Sequence, residues 1–247
     1  MFNREIYGHR GASARAFENT IQAFQQAVRE GADGIEIDVQ LSKDGVPIVI
    51  HDRNLSRLAS RNRVVDHMNL RSIQRVKLGN IWQRRFQQLR ISPLKEVAHF
   101  CEVHGLGLNV EIKETVVERP EKVRQIVELV AHLPQLHISS FHYEIIEEVK
   151  RVNASIETAQ LLTKKDFKNK QLEHYVAADR FHLNKKFWTP AHVAYLEKIG
   201  KSVRVYDLAG DEELLVSDHP LLIGWMTDYI RETKAFIANH ESTVDLS

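Results

Sequence analysis

Short apolar runs of strand length alternate along this chain with amphipathic stretches of helical period. Strand-like runs fall at residues 5–8, 34–40, 106–112, 136–139, 156–161, 180–183, 202–206 and 222–226. Helical stretches lie between most of them, among them 20–29, 120–133, 143–152, 190–199 and 229–239. Regular alternation of this kind specifies a parallel sheet wrapped by helices. Eight such units are the number that closes a TIM (β/α)8 barrel, and an open doubly wound sheet is the alternative. The helix from Thr20 opens on a polar N-cap, with Asn19 or Thr20 in that place, and continues as an apolar stripe of Ile21, Phe24 and Val28.

Two stretches interrupt the alternation. Lys43-Asp44-Gly45 between apolar runs is a hairpin signal, which sends residues 46–50 back beside the second strand. Residues 53–88 are rich in Arg, Asn and Gln with scattered apolar positions, and are expected to form an insertion above the barrel. Loops of that length tend to be functional or mobile. At 247 residues the chain has the length of one barrel, so a single domain spanning 1–247 is expected, with 53–88 as its insertion. No internal repeat or low-complexity tract is present.

Composition narrows the function classes. Hydrophobic residues make up 43% of the chain and charged residues 27%, enough for a sizeable core and a solvated surface. Lys+Arg is 34 against Asp+Glu 33, so no global field draws in nucleic acid or an anionic membrane, and anion binding must be local. The single cysteine, Cys101, has no partner for an internal disulfide or a zinc knuckle, which suits a reducing compartment. The start, MFNREIYGHRG, carries charge where a signal peptide needs apolar residues. No run approaches the roughly 20 apolar residues that span a bilayer, and no strongly amphipathic membrane-binding segment stands out. A soluble, cytoplasmic protein is expected, its oligomeric state open.

Chemistry enters with the second strand. Glu36 and Asp38 alternate with Ile35, Ile37 and Val39, so both carboxylates point to one face and the β-branched residues to the other. The apolar set suits outer helices, which turns the acids toward the barrel axis. Like charges held together call for something positive between them, and two such carboxylates make a nest for a hard cation. The alternative is the exposed polar face of an antiparallel strand. Glu111 and Lys113 repeat the pattern on the next barrel strand, adding a third oxygen ligand and a cation for a bound anion. Oxygen-only ligation favours Mg²⁺ or Ca²⁺, with Mn²⁺ a further candidate, over zinc.

His9 and Arg10 follow the first strand and precede Gly11, at the carboxyl end where barrel enzymes place their chemistry. His51 ends the returning hairpin run and should reach the same mouth. Two imidazoles suit displacement at phosphorus, one taking a proton from the nucleophile and the other giving one to the leaving alkoxide. Arg10 offers a planar fork that matches phosphate oxygens. Most of the 13 histidines are expected on the surface, among them His104, His132, His174 and His240.

The run His9-Arg10-Gly11, then Glu18-Asn19-Thr20, Ala23-Phe24, Gly31-Ala32-Asp33, Glu36-Ile37-Asp38-Val39, Lys43-Asp44-Gly45 and His51-Asp52 resembles the glycerophosphodiester phosphodiesterase family. The likeness continues at Glu111-Ile112-Lys113, Ser139-Ser140-Phe141 and Thr227-Asp228-Tyr229, and so spans nearly the whole chain. It implies a TIM barrel that hydrolyses a small-molecule glycerophosphodiester to an alcohol and glycerol 3-phosphate. It further implies a divalent ion on Glu36, Asp38 and Glu111, acid–base roles for His9 and His51, and phosphate contacts from Arg10 and Lys113.

Some positions depart from the family pattern. Phe17 stands where proline is usual, Tyr206-Asp207-Leu208-Ala209 replaces a Trp-Thr-Val-Asn run, and the closing strand reads Leu222-Ile223-Gly224-Trp225-Met226. Phe141, Tyr206 and Trp225 are the expected substrate-pocket residues. Two other readings share the same site residues: a phospholipase D-like hydrolase of lysolipids or N-acyl phospholipids, and a catalytically silent barrel that binds phosphate esters.

Overall fold

The computed structural model describes residues 4–244, with side chains through residue 241; residues 1–3 and 245–247 of the expected 1–247 span lie outside the described residues. Nine strands form one sheet: β1 (Glu5–His9), β2 (Gly34–Leu41), β3 (Pro47–Val49), β4 (Gly107–Ile112), β5 (Leu136–Ser140), β6 (Glu157–Leu161), β7 (Arg180–Asn184), β8 (Val203–Leu208) and β9 (Leu222–Thr227). Eight of them run parallel, and β1 pairs with both β9 and β2, so the sheet closes on itself as a TIM barrel. The open-sheet alternative is thereby excluded. β3 alone is antiparallel, lying outside the ring on the end of β2 with Val49 opposite Val39.

Period two decides what faces where. Ile35, Ile37, Val39, Leu108, Val110 and Ile112 leave the strands outward and merge with helix residues such as Phe24, Val97, Ile126 and Ile145 in one buried cluster. Each strand's alternate residues fill the barrel, and many of these are polar: Tyr7, Asn109, His137, His182 and Arg204. Tyr7 needs space inside. Gly34 and Gly107 supply it, since a Cβ at Gly107 would come within 2.5 Å of the Tyr7 hydroxyl.

Helices Ile21–Arg29, Tyr143–Val152 and Pro190–Ile199 match the periodic stretches closely. Helix Leu94–His104 escapes the periodicity reading, although Pro93 before it and left-handed Gly105 after it bracket it. Between β3 and that helix the scattered apolar residues prove to be organised. Leu55, Leu58, Val65, Ile73, Val76, Leu78 and Leu89 join Ile48, Ile50 and Ile91 in a second cluster, with Phe17 packed against it. Its helices, Ser56–Ala59, Leu70–Ile73 and Ile81–Phe86, are too short to show a 3.6-residue stripe in sequence.

Candidate active site

Strand register assembles the site before any side chain is considered. His9 pairs with Glu36 across β1 and β2, and Asp38 pairs with Glu111 across β2 and β4. All four therefore emerge on the inner face at the carboxyl end of the barrel. Glu36 and Asp38 are essentially without solvent exposure, and Glu111 is buried as well.

The chain must turn sharply after β1. Arg10 adopts φ 56° and Gly11 φ 84°, both left-handed; a Cβ on Gly11 would lie 2.7 Å from the backbone of Ala23. Holding a non-glycine residue there costs about 1–3 kcal/mol and marks a built-in constraint. Its return is that the Arg10 amide donates to Glu36 Oε2 at 2.9 Å. Asn19, also left-handed at φ 55°, donates from Nδ2 to Asp38 Oδ2 at 2.8 Å. Thr20 then caps the first helix by accepting from the Ala23 amide.

Glu36, Asp38 and Glu111 each offer a carboxylate oxygen, and these lie within 4.8 Å of one another. Burial, and then the charge of Asp38, pushes the Glu36 carboxyl up to about 8. Burial likewise raises Glu111, although the Lys113 ammonium opposes it. The Asp38 carboxyl stays below its usual range: burial works against that, but Lys113 and Arg10 outweigh it. Lys113 Nζ sits 2.6 Å from Glu111 Oε1 and 3.3 Å from Asp38 Oδ1. Glu36 Oε1 is buried with no hydrogen-bond partner. An acid trio with an orphaned oxygen suits a hard, oxygen-seeking cation.

Both histidines are backed by carboxylates. His9 Nδ1 lies 2.7 Å from Asp228 Oδ1, leaving Nε2 directed toward Glu36 Oε2 at 3.9 Å. Burial alone would lower the His9 imidazole; the hydrogen bond to Asp228 and the nearby Glu36 charge lift it instead to about 9. His51 Nδ1 lies 2.7 Å from Asp52 Oδ1. A proton held on Nδ1 by each carboxylate leaves each Nε2 available for proton transfer. Arg57 joins the two halves by pairing with Asp52 and Glu18, while Glu18 pairs with Arg10 and Arg10 with Asp38.

A cavity of about 490 Å³ is lined by His9, Arg10, Glu36, His51, Glu111 and Lys113, together with Phe141, Asn184, Tyr206 and Asp207. Asp207, left-handed at φ 68°, accepts from Asn184 Nδ2 at 3.0 Å. A wider cavity of about 820 Å³ adjoins it, sharing His9, Arg10 and Asp228 and bounded by Phe17, Glu18, Gln22, Gln83 and Phe86.

Of the three expected pocket residues, Phe141 and Tyr206 line the smaller cavity and Trp225 does not. Trp225 is fully buried in the outer cluster, with the Arg4 guanidinium 5.6 Å from its ring centroid. Its parity on β9 turns it away from the axis, and Met226 faces the cavity in its place. Residue pattern alone also misses the partners Asp228, Asp52, Asn19 and Arg57. For Asp228 the available signal is position, directly after the last barrel strand on the catalytic face.

A model of the glycerophosphoryl diester phosphodiesterase family matches residues 9–230. A glycerophosphodiester phosphodiesterase of Caldanaerobacter subterraneus subsp. tengcongensis is 35% identical over 150 residues, which cover 60% of this chain and 62% of that protein. The uncharacterized Bacillus subtilis protein YqiK is 27% identical over 243 residues, covering 95% and 99%. An Oleispira antarctica phosphodiesterase, solved in complex with the product sn-glycerol-3-phosphate, superposes with TM-score 0.81 at 26% identity over 95% of this chain and 96% of that one. The glycerophosphodiester phosphodiesterase of Thermotoga maritima gives TM-score 0.75 at 26% identity over 94% and 97%. Sequence, barrel topology and the span of the match agree, and the chain belongs to the glycerophosphoryl diester phosphodiesterase family, a family of phosphoric diester hydrolases.

Proposed function

We propose that the protein hydrolyses glycerophosphodiesters to an alcohol and glycerol 3-phosphate, using a divalent ion on Glu36, Asp38 and Glu111 and acid–base catalysis by His9 and His51. The observation that carries this reading is the meeting, at one cavity, of two carboxylate-backed imidazoles with Glu36 and Glu111, which line its wall and have Asp38 buried beside them. A divalent ion bound there would offset charge on a phosphoryl oxygen and lower the pKa of the attacking hydroxyl.

The chain's own groups do the rest. Arg10 and Lys113 face the space where a phosphate would lie, and hold the charge that builds on its free oxygens. One imidazole Nε2 takes the proton of the nucleophile and the other gives a proton to the leaving alkoxide. The nucleophile is either water, or the substrate's neighbouring glycerol hydroxyl, in which case water then opens the resulting cyclic phosphate to glycerol 3-phosphate. Asp228 and Asp52 keep each ring in the tautomer that allows this. The barrel's polar lining and Tyr206 suit a small polar head group more than an acyl chain.

The test follows products. With glycerophosphocholine or glycerophosphoethanolamine as substrate, glycerol 3-phosphate and the free alcohol should appear in equal amounts. His9→Ala and His51→Ala should each slow release by about 10²–10⁴-fold, the usual share of a positioned acid or base. Wild-type rates in both variants would refute the assignment. Turnover of lysophosphatidylcholine with none of the deacylated diester would favour the phospholipase D-like reading instead.

A further inference from the structure

The helix Ile81–Phe86 is built inside out. Asn80 and Gln83 close a capping box on its own first turn, and Arg84 ties it to the body by donating to the Ala59 carbonyl oxygen at 3.0 Å. Its apolar side chains face water, with Ile81, Trp82 and Phe86 exposed by 78%, 72% and 67%. Trp82 and Phe86, one turn apart, stack with centroids 5.7 Å apart, and the Arg85 guanidinium lies 5.6 Å from the Phe86 centroid. Single exposed apolar residues are ordinary, but three large ones on one six-residue helix mark an interaction surface.

Charge points the same way. Residues 53–90 carry nine arginines and one lysine against a single acid, Asp66, within a chain of net charge +1. Arg53 and Arg57 are engaged internally; Arg61, Arg63, Arg71, Arg75, Lys77 and Arg85 are exposed. The near-neutral whole-chain balance conceals this local field.

We propose that this segment docks on an anionic lipid bilayer, with Ile81 and Trp82 entering the boundary between headgroups and acyl chains and Arg85 and the other exposed arginines of residues 53–90 meeting lipid phosphates. Reversible membrane attachment needs an apolar insertion and a basic patch together, and both are here. A nucleic acid or an acidic protein would answer the arginines but leave Ile81 in water, and Trp82 already stacks on Phe86 rather than standing open to a base. Phe86 also borders the wide cavity that reaches His9 and Arg10, so docking turns that entrance toward the bilayer.

The experiment mixes the protein with vesicles of phosphatidylcholine alone or with added phosphatidylglycerol, reading co-sedimentation and tryptophan emission at low and high salt. Binding is expected only with phosphatidylglycerol, weakening as salt screens the arginines, with a blue shift from Trp82. Ile81→Ser combined with Trp82→Ser should weaken binding by about tenfold or more and remove the shift, while hydrolysis of a water-soluble glycerophosphodiester stays at the wild-type rate. Arg71→Glu combined with Arg75→Glu should weaken binding by a similar factor. Failure to bind phosphatidylglycerol vesicles at low salt would overturn the proposal. So would unchanged binding by the serine variant, or equal retention on polyglutamate or single-stranded DNA.

Discussion

Glu36 carries an orphaned oxygen at the centre of the site. Its carboxylate takes one hydrogen bond from the Arg10 amide and leaves Oε1 buried without a partner, beside two other acids. Burial and the charge of Asp38 push it up to about 8, so near pH 7 without a cation it is mostly protonated. Glu36→Gln preserves the shape and removes the charge. The variant, stripped of divalent ions, should therefore melt no lower than stripped wild type. Added Mg²⁺ or Ca²⁺ should raise the melting temperature of wild type and not of the variant, since only binding to the native state stabilises it. An equal ion-dependent rise in both proteins would remove Glu36 from the ligand set. At this scale the sequence is informative wherever parity decides: Glu36, Asp38 and Glu111 follow from alternation with β-branched neighbours. Trp225, expected in the pocket from its departure from the family pattern, shows the same rule left unapplied, because its place on β9 relative to Gly224 and Met226 aims it outward.

Among the elements, the strands set the site and the short loops tension it. β1 and β2 can lie side by side with Tyr7 between them only because Gly34 and Gly107 lack side chains. A methyl group at Gly34 would meet the Tyr7 ring and approach the Gly107 carbonyl oxygen to 2.7 Å. Gly34→Ala should thus destabilise the fold by about 1–3 kcal/mol, the range for overpacking a filled interior. Chemical denaturation checks it, and an unchanged midpoint would show that Tyr7 can swing aside freely. All eight barrel strands and the β3 return are legible in sequence because each is a short apolar run with its own turn signals. The segment after His51 is not, because helices of four to six residues complete too few turns for periodicity to register. Only tertiary packing reveals that its apolar residues share a core and that Arg57 ties Asp52 to Glu18.

On the scale of the whole molecule, the barrel interior is a polar column below the reaction centre. His137 and His182 are fully buried, their rings 5.4 Å apart and Tyr7 packed on His137. Arg204 lies near them, paired with Glu5 and Glu157 toward the opposite end. Burial first, and then the Arg204 charge, drives both imidazoles well below their ordinary range. They are neutral in the folded state and titrate normally in the unfolded one. Their contribution is fully present above the unfolded value of about 6.5 and is lost as pH falls from there toward the folded values. Two such groups contribute a slope of up to about 2.7 kcal/mol per pH unit, twice the single-proton figure, against an opposite slope from Glu36, which keeps its proton in the native state. Denaturation between pH 6.5 and 5 of wild type beside His137→Gln combined with His182→Gln isolates their share from that of Glu36; equal slopes in the two proteins would mean that the pair is hydrated or protonated inside. No sequence rule separates these two histidines from surface ones, because their burial depends on closure of all eight strands.

The proposed hydrolysis depends above all on the acid trio holding a cation. The most direct test is glycerol 3-phosphate release from glycerophosphocholine by protein stripped with EDTA, verified free of metal, and then titrated with Mg²⁺, Ca²⁺ or Mn²⁺. Stripped protein should be inactive, at least one of these ions should restore wild type, and none should restore Glu36→Gln. Full turnover by the verified metal-free protein would contradict a role for the trio as cation ligands.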